Sequence, residues 1–482
     1  MMDQRSEQAA AATAGDELRA GWAELLEPRY ALTTLMLCIG VALYAFNGFL
    51  VSTVLPSAVA ELDGASLISW SLSLYLAASI VAGACAALLK MRYGARATLV
   101  GAAIIFLGGT LIAGTASDMP TMLGGRLLQG FGEGLVAALC YALIPDMFPE
   151  RLVPKVFGVE AGVWAAAAFG GPVAAGLLTE HVSWRMAFHV NLPIILLFLA
   201  LAVLIAPKRE TGAAPRPLRL PGLRLIILSF ALGAVMLAAI AGTISASAAL
   251  IIASALAILL LIRIDRRSGA SSILPTAAFS TSGLPGLTLW IVFLMAVAQA
   301  TSSVYLVFAL QNLFGFSPTL AGAIGALMAI CWSVSAILVA HVSGVGQQRQ
   351  TLWAGPMLQV VGLICILIGI SGGWLAAIIA GQIFIGSGFG ISWAFISQTS
   401  MMATPATERD KTSALLPTLQ STGFAIGGAL CGFAANAGGL AEQSSGDAVR
   451  QPLTFAFLAA VAWAIPAVAA GWRAMRRSSS RS

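Results

Sequence analysis

Three ionisable residues, Arg126, Glu133 and Glu160, lie well inside long apolar stretches of this sequence. A charge at the middle of a lipid bilayer costs about 2.5–3.5 kcal/mol even on a lenient insertion scale, so such residues usually serve a function. Burial favours the neutral form of a carboxyl group, and a nearby arginine favours its charged form. A carboxyl group that moves between two such environments can take up a proton and release it. We therefore expect these three residues to form a proton-coupling site.

The spacing of two of these residues leaves a structural alternative open. Arg126 and Glu133 are seven residues apart, which places them about 10.5 Å apart along a helix and within about 20° of one face. Gln129 lies between them on nearly the same side. The backbone alone does not bring the two charges together, although a long arginine side chain shortens the gap. The alternative is an Arg–Glu pair that fixes helix register, or a side chain that extends to the membrane surface.

Six uncharged residues in the apolar stretches could line a substrate pocket. They are Asn47, Gln129, Trp164, Gln299, Gln382 and Gln420. For the individual residues, helix packing or hydrogen bonding between helices is the plainer explanation.

The composition defines the elements that must hold these residues. Of the 482 residues, 59% are hydrophobic and only 10% are charged, whereas a soluble globular protein has about 25% charged residues. The apolar residues occur in runs of about twenty, the length that a helix needs to cross about 30 Å of hydrocarbon. Backbone polar groups find no water there, so these runs must be helical. The sequence predicts an all-α integral membrane protein, neither a soluble protein nor an enzyme.

Fourteen membrane spans are predicted. They are 31–54, 67–89, 96–115, 121–143, 154–178, 187–206, 222–242, 246–264, 286–310, 318–342, 352–370, 374–396, 413–436 and 452–472. With both termini in the cytoplasm, all of the 26 basic residues except Arg126, Arg185 and Arg450 fall in inner loops or tails. This asymmetry supports fourteen spans with both termini in the cytoplasm. We expect the protein to be integral to the plasma membrane, which is the cytoplasmic membrane in a bacterium. Basic inner loops that face anionic lipid account for the net charge of +6 without a nucleic-acid partner.

The cysteines and histidines give no sign of a metal or cofactor site. All six cysteines lie inside predicted spans at no metal-ligand spacing, and the three histidines form no cluster with them. The sequence has no nucleotide-binding loop, zinc motif or nucleophile elbow. We expect no cofactor, no metal and no ATP-driven transport by this chain alone.

A repeat relates the two parts of the chain at an offset of 256 residues, which carries Gly130 to Gly386. The other matched pairs are Gly132 with Gly388, Gly134 with Gly390, Gly171 with Gly427, Pro172 with Gly428, Gly176 with Gly432 and Lys155 with Lys411. The fourth span matches the twelfth, a shift of eight helices, so a duplicated six-helix bundle is separated by two inserted helices at 222–264. Close helix packing also explains these glycines and is compatible with a role in motion.

This arrangement predicts five regions. They are a cytoplasmic segment at 1–30, a six-helix bundle at 31–206, an inserted two-helix segment with its loops at 207–285, a second six-helix bundle at 286–472 and a cytoplasmic tail at 473–482. Two pseudo-symmetric halves are typical of secondary transporters, which bind substrate between them near the midplane.

Several motifs resemble those of the major facilitator superfamily. The run from Arg126 through Gln129 to Gly130 resembles its fourth-helix motif, and 171–176 (GPVAAG) is similar to the fifth-helix antiporter motif of its drug:proton exporters. The segment 183–193 resembles the opening of the sixth helix in the fourteen-helix exporters, and Leu55-Pro56, Trp70 and Tyr75 also match. The resemblance covers nearly the whole chain, most specifically 47–193. It implies a major facilitator fold with two inserted helices.

The resemblance also implies residues for conformational change. These gating residues are Lys90, Arg92, Gly94 and Arg96 in the loop after the second span, with Gly130, Gly171, Pro172, Gly176, Gly427 and Gly432 in the helices. Met91 stands where the family usually has Asp, and Ala95 where it usually has Arg, which puts the loop's charge latch between the halves in doubt. Asn47 replaces an acid that many fourteen-helix exporters carry, so a cationic-drug site that relies on this acid is disfavoured.

The leading hypothesis is proton-coupled export of a hydrophobic or amphipathic small molecule by alternating access, as in multidrug efflux. Its partners would be the small-molecule substrate, protons and membrane lipid, and we expect a functional monomer. One alternative is a dedicated exporter of an endogenous lipid, siderophore or metabolite, which the neutral Asn47 favours. Another is a non-transporting membrane sensor or scaffold, which would have no need for buried carboxyl groups.

Overall fold

A computed structural model describes residues 22–149, 152–208, 222–238, 241, 243–267, 274–339, 345–405, 408–440 and 446–479. Regular structure in these ranges is helical, and none of their residues lies in a strand. The α-helices in chain order are α1 (Pro28–Glu61), α2 (Ile68–Tyr93), α3 (Ala95–Gly114), α4 (Met119–Met147), α5 (Val153–His181), α6 (Trp184–His189), α7 (Asn191–Ile205), α8 (Gly222–Ala238), α9 (Ile244–Arg267), α10 (Leu284–Asn312), α11 (Pro318–Val339), α12 (Val345–Gly372), α13 (Leu375–Met402), α14 (Arg409–Ala437) and α15 (Arg450–Ser479).

Twelve helices in the described ranges are long and apolar enough to cross a membrane. Each of the fourteen predicted spans coincides with helical structure, but two of them lie outside these twelve. The α8 helix has 17 described residues, or about 25 Å, which is less than the hydrocarbon thickness. The α14 helix has 29 residues but carries several polar residues, among them Thr418, Gln420 and Ser421. The structure thus supports an all-α multi-pass membrane protein, and the count of fourteen is not confirmed.

Local signals explain where several helices begin and end. Gly94 has a φ of +87°, a conformation that favours glycine, and it separates α2 from α3. Asp118 precedes α4 and accepts a hydrogen bond from the Thr121 backbone N–H at 2.7 Å, so it caps the helix that carries Arg126 and Glu133. Pro120 in the first turn has no backbone N–H to satisfy.

The helices alternate in direction, which gives the molecule two ends. We call the end where α1 begins and α15 finishes the basic end, because it carries most of the basic residues, including Arg29, Lys90, Arg96, Lys208 and Arg476. The other is the opposite end, where Arg185 pairs with Glu61 at 2.6 Å.

Glycines bring α4 close to its neighbours. A Cβ at Gly130 would collide with the Tyr75 backbone of α2, and one at Gly134 with the Ser79 backbone. The α13 helix packs against α11 in the same way, because Gly386 lies on Met328 and Gly390 lies on Trp332. The close contacts therefore repeat at the positions that the sequence repeat relates.

The amino-terminal helices α1–α7 touch the carboxyl-terminal helices α10–α15 through residues nearer the opposite end. Gly176 of α5 lies against Thr319 of α11, and the Glu180 carboxylate accepts the Thr319 N–H at 2.6 Å. On the other side, the Ser73 hydroxyl of α2 donates to the Ala425 carbonyl of α14 at 2.9 Å. The Gln311 side chain donates to the Thr53 carbonyl at 3.3 Å. The two groups of helices are thus closed together at the opposite end.

The α8 and α9 helices form a hairpin beside this contact. Leu232, Val235 and Met236 of α8 are buried against α2 and α14. At the basic end, Arg224 of α8 pairs with Asp265 of α9 at 3.0 Å. The pair thus lies outside the main helices but contacts both groups of them.

Candidate functional site

The Glu133 carboxyl group lies at the centre of the amino-terminal helices and is 1% exposed. Asn47 of α1, which is fully buried, donates from Nδ2 to Glu133 Oε2 at 3.1 Å. The second oxygen, Oε1, has no hydrogen-bond partner in the described part of the chain. The Tyr75 hydroxyl lies near the same carboxyl group but makes no hydrogen bond of good geometry with a described residue. Glu133 is therefore a buried acid held by a single amide.

Arg126 lies two turns away on the same helix and is also 1% exposed. Its Nη1 donates to Gln129 Oε1 at 2.9 Å, and Gln129 Nε2 donates to Thr110 Oγ1 of α3 at 3.0 Å. The guanidinium carbon lies 4.1 Å from the centre of the Tyr75 ring, which is close enough for a cation–π interaction. Within the described residues Arg126 forms no ion pair with Glu133, so a direct Arg–Glu pair does not account for these two charges.

Glu160 of α5 is a second buried acid and is 1% exposed. Both of its carboxyl oxygens lack a hydrogen-bond partner among the described residues. Cys38, Cys140 and Tyr141 are its electrostatic neighbours. Neither a hydrogen bond nor an ion pair links it to Glu133 in the described structure, so the two acids occupy separate positions.

Trp164 lies one turn beyond Glu160 and is surrounded by aromatic residues. Its ring centre is 5.8 Å from Tyr44 and 6.4 Å from Phe49, both on α1. Its indole N–H donates to the Tyr141 hydroxyl at 3.1 Å. The half-buried Trp164 therefore forms an aromatic surface beside an unpartnered carboxyl group.

The carboxyl-terminal helices place neutral residues at the matching positions. The 256-residue offset carries Arg126 to Gln382 and Glu133 to Phe389. Gln382 accepts from the Ser302 hydroxyl at 3.3 Å and donates to the Gly325 carbonyl at 3.1 Å. Phe389 stacks on Trp332 with ring centres 4.9 Å apart. At these two matched positions an arginine and a carboxyl group of the amino-terminal helices correspond to an amide and an aromatic ring of the carboxyl-terminal helices.

The remaining predicted pocket residues lie in the carboxyl-terminal helices. Gln299 of α10 is 1% exposed and donates to Met328 Sδ at 2.9 Å. Gln420 of α14 is only half-buried. Its neighbour Ser421 approaches the Tyr44 hydroxyl of α1.

Tyr44, Thr110, Tyr141 and Ser421 lie at the site but could not be predicted from the sequence. Aromatic and hydroxyl residues are common in membrane helices, and their sequence positions do not indicate which helix they contact. Tyr75 was noted only as a family match, and its place under Arg126 depends on how closely α4 approaches α2 at Gly130.

The predicted loop after the second span is helical except at Gly94, because Lys90 and Arg92 lie in the last turn of α2 and Arg96 lies in the first turn of α3. Lys90 pairs with Asp146 of α4 at 2.5 Å. The Arg96 side chain donates to the Ala206 carbonyl at 2.8 Å and the Leu204 carbonyl at 3.3 Å, both at the end of α7. Arg92 is half-buried, and Met91 is exposed. The contacts of Lys90 and Arg96 therefore stay within the amino-terminal helices.

The predicted gating positions in the helices separate into two groups. Gly130, Gly171 and Gly427 contact neighbours in their own group of helices, at Tyr75, Phe49 and Val297 respectively. Pro172 and Gly176 contact α11 across the two groups, at Gly322 and Thr319. Gly428, the match of Pro172, contacts Ser73 of α2. Gly432 is buried. Pro172 and Gly428, which the repeat relates, therefore both make contacts between the two groups of helices.

Within the described residues, no group of three or more His, Cys, Asp or Glu side chains could hold a metal ion. The six cysteines are free thiols.

Comparison with known proteins extends these observations. The sequence model of the Major Facilitator Superfamily matches residues 37–428 of this chain. A probable multidrug-efflux transporter of Mycobacterium tuberculosis (strain ATCC 25618 / H37Rv) is 30% identical over 434 residues, which cover 86% of this chain and 89% of that protein. An MFS-type transporter of Metarhizium majus (strain ARSEF 297) is 28% identical over 401 residues, which cover 78% of this chain and 68% of that protein.

Solved structures share the fold. A peptide transporter POT in complex with sulfate has a TM-score of 0.65 and 16% identity, and the match covers 92% of this chain and 95% of that one. The xylose transporter XylE from E. coli, in a partially occluded inward open conformation, has a TM-score of 0.57 and 14% identity, with 92% and 98% covered. The chain therefore belongs to the Major Facilitator Superfamily and is a multi-pass membrane transporter rather than an enzyme.

Proposed function

We propose that this transporter exports hydrophobic or amphipathic small molecules in exchange for protons, as in multidrug efflux. The observation that carries the proposal is the buried Glu133, which accepts one hydrogen bond from Asn47 and has no ion-pair partner in the described structure. A carboxyl group so placed can change protonation state when its surroundings change. The similarity to a probable multidrug-efflux transporter of M. tuberculosis supports the direction and the substrate class.

Alternating access supplies the change of surroundings. In the structure the two groups of helices meet at the opposite end, through Gly176 with Thr319 and Ser73 with Ala425. Opening these contacts while closing the basic end would expose the site to the other side. We propose residues 31–206 and 286–472 as the two moving bundles and 207–285 as the inserted segment. Residues 1–30 and 473–482 are the cytoplasmic tails of a fourteen-span protein that functions as a monomer.

We propose that the basic end faces the cytoplasm of a bacterial inner membrane, because basic loops remain on the cytoplasmic side. Ser117 at the opposite end and Met91 at the basic end are both exposed. A cysteine in place of Ser117 should react with an impermeant maleimide in intact cells, and one in place of Met91 should react only after the cells are opened. The reverse pattern would contradict this orientation.

The residues of the site receive separate roles. Glu133 is the main proton carrier, Arg126 sets its electrostatic surroundings, and Glu160 is a second protonatable group near the aromatic surface of Trp164. Asn47, Gln129, Trp164, Gln299, Gln382 and Gln420 contribute to the pocket. Export in exchange for protons requires that a bound proton weakens the binding of substrate. By thermodynamic linkage, bound substrate then weakens the binding of the proton by the same factor.

A second candidate is a dedicated exporter of one endogenous lipid, siderophore or metabolite. Asn47 favours it, because this side chain is committed to Glu133 at 3.1 Å and leaves no acid at the first-span position. Proton flux into liposomes containing the purified protein, measured against a panel of chemically diverse compounds, separates the two. Flux driven by many unrelated amphiphiles supports multidrug export, whereas flux with a single class supports the dedicated exporter. No flux with any compound would favour a sensor or scaffold.

A further inference from the structure

Tyr44 of α1 contacts both parts of the buried site in the amino-terminal helices. Its ring is stacked with that of Tyr75, with ring centres 6.4 Å apart and an angle of 25° between the planes. Tyr75 in turn lies under the Arg126 guanidinium. The Tyr44 ring also meets Trp164 edge-on, with ring centres 5.8 Å apart. Tyr44 is therefore held between the ring that carries Arg126 and the aromatic surface beside Glu160.

The Tyr44 hydroxyl approaches two serine side chains that belong to different groups of helices. They are Ser79 of α2 and Ser421 of α14. Ser79 is 8% exposed and lies against Gly134 of α4, the residue that follows Glu133. A phenol has a single O–H to donate. A bond to Ser79 stays within the amino-terminal helices, whereas a bond to Ser421 joins the two groups.

Ser421 adjoins the contact that closes the opposite end on the α2–α14 side. Ser421, Ala425 and Gly428 form one stripe of α14, because they follow helical spacing of four and three. Ser73 of α2 contacts both Ala425 and Gly428. The stripe runs toward the opposite end, since α14 finishes there. Ser421 therefore lies at the inner end of this contact, on the side of the central site.

Glu133 is the charge that distinguishes the surroundings of the two serines. It is an electrostatic neighbour of the Tyr44 hydroxyl. The charged or titratable side chains that act on Glu133 itself are Arg126 on the same helix and Tyr75 on α2. On the other side of the contact, α14 has no charged residue after Lys411. The field at the Tyr44 hydroxyl therefore changes when Glu133 binds or releases a proton.

This field acts on the direction of the Tyr44 O–H bond, because hydroxyl dipoles orient in the local field of a protein. An ionised Glu133 favours the orientation that points the hydrogen toward α4, which is the side of Ser79. A neutral Glu133 removes this preference, and the same hydrogen can then be donated to Ser421.

We infer that Tyr44 is a positioning residue that connects the protonation of Glu133 to closure of the opposite end. With Glu133 neutral, Tyr44 donates to Ser421 and holds α1 to α14. With Glu133 ionised, Tyr44 turns to Ser79 and the contact is released. The inference rests on the proposed proton-coupled export and adds its coupling residue. The direction is the one that this function needs, because Glu133 must keep its proton while the opposite end closes.

Closure of the opposite end at different pH values tests the inference without a transported substrate. The reporter is Thr53→Cys, at a fully buried position of α1 beside Gly322 of α11. Its rate of reaction with a water-soluble maleimide is measured from about pH 5 to about pH 9 and corrected for the native cysteines. Dividing by the rate at the exposed Ser117→Cys removes the pH dependence of the thiol chemistry. The normalised rate should rise about two- to tenfold toward alkaline pH, the effect of one hydrogen bond.

Variants of the two hydroxyls identify the bond. Tyr44→Phe keeps the ring, and its reporter should react in acid as fast as the wild-type reporter does in alkali. Ser421→Ala should do the same, whereas Ser421→Thr keeps a hydroxyl and should keep the pH dependence. The matched control is Thr422→Val, because the Thr422 hydroxyl donates to the Thr418 carbonyl within α14. Wild-type pH dependence in Tyr44→Phe or Ser421→Ala, at wild-type thermal stability, would overturn the inference.

Glu133→Gln separates this inference from the proposed function. Glutamine stays neutral, so the reporter should react slowly at every pH, and adding Tyr44→Phe should make it fast at every pH. Wild-type pH dependence in Glu133→Gln, or none in the wild type, would contradict both the proposed function and the inference. Loss of the pH dependence in Glu133→Gln, with equally slow reaction after Tyr44→Phe is added, would contradict the role of Tyr44 alone.

Discussion

Asn47 of α1 donates a hydrogen bond to Glu133 of α4 at 3.1 Å, although 86 residues separate them in the sequence. Asn47 stands where many fourteen-helix exporters carry an acid. Its side chain is instead the hydrogen-bond partner of Glu133. With an acid at position 47 the two helices would bring two carboxyl groups together. With Asn47 there, Glu133 is the one group of this pair that can bind a proton.

Asn47→Ala should destabilise the protein by about 1–3 kcal/mol, because it leaves a buried polar group without its donor. The matched control is Asn191→Ala, since Asn191 is equally buried but its amide contacts the Ala187 carbonyl only at 3.5 Å. Thermal unfolding of the purified variants measures the difference. A larger effect at Asn191 than at Asn47 would show that the bond to Glu133 contributes little.

Arg126→Lys should reduce gradient-driven transport without preventing folding. Lysine keeps the charge but cannot both donate to Gln129 and lie flat on the Tyr75 ring. A desolvated cation–π interaction contributes about 2 kcal/mol, which corresponds to a roughly 30-fold loss if it is needed in the transport cycle. Transport assays in liposomes measure this.

Variants of the partner ring test the same contact. Tyr75→Phe keeps the aromatic face and should retain transport, whereas Tyr75→Leu should behave like Arg126→Lys. Equal activity of Tyr75→Phe and Tyr75→Leu would exclude the ring as the partner that matters.

Gly176→Val should open the opposite end. The added side chain collides with Thr319, and overpacking of this kind costs about 1–3 kcal/mol, so the closed conformation should lose about 5–150-fold in relative population. A Ser73→Cys reporter, buried in the wild type between α2 and α14, should react faster with a water-soluble maleimide. Gly170→Val is the control, because no atom lies within 4 Å of a Cβ built there. Equal reactivity in both variants would contradict the gating role of Gly176.

Asp118 makes the stability of the α4 helix depend on pH. The Thr121 backbone N–H and hydroxyl both donate to this carboxylate and hold its pKa below the usual range. Its stabilising effect is therefore present above the ordinary pKa of an aspartate and is lost as the pH falls through the lowered value. Asp118→Ala should lower the unfolding temperature at neutral pH, and the difference from the wild type should shrink in acid. A constant difference at all pH values would contradict this.

Part of the site follows directly from the sequence. Arg126, Gln129 and Glu133 share the helix α4, and Arg126 donates a hydrogen bond to Gln129. The contacts between helices could not be predicted from the sequence. The Asn47–Glu133 bond and the Arg126–Tyr75 stack depend on how closely α4 approaches α1 and α2, and Gly130 determines part of that distance. Helical periodicity gives the face of a residue but not the helix it meets.

The inserted helices show the same limit. The repeat offset located them at 222–264, but their position across α2 and α14 depends on a cluster formed by three helices. The short described length of α8 and the polar residues of α14 are the reason why twelve apolar spans are found where fourteen were expected.

The most direct test of the account is transport driven by a proton gradient in liposomes that contain the wild type, Glu133→Gln or Glu160→Gln. Glutamine keeps the size of the side chain and can still contact Asn47, but it cannot bind or release a proton. We expect Glu133→Gln to fold and bind substrate yet to lose gradient-driven transport and most of the pH dependence of substrate affinity. Retention of transport by Glu133→Gln together with its loss in Glu160→Gln would assign the proton to α5, and normal transport by both variants would contradict proton coupling through these helices.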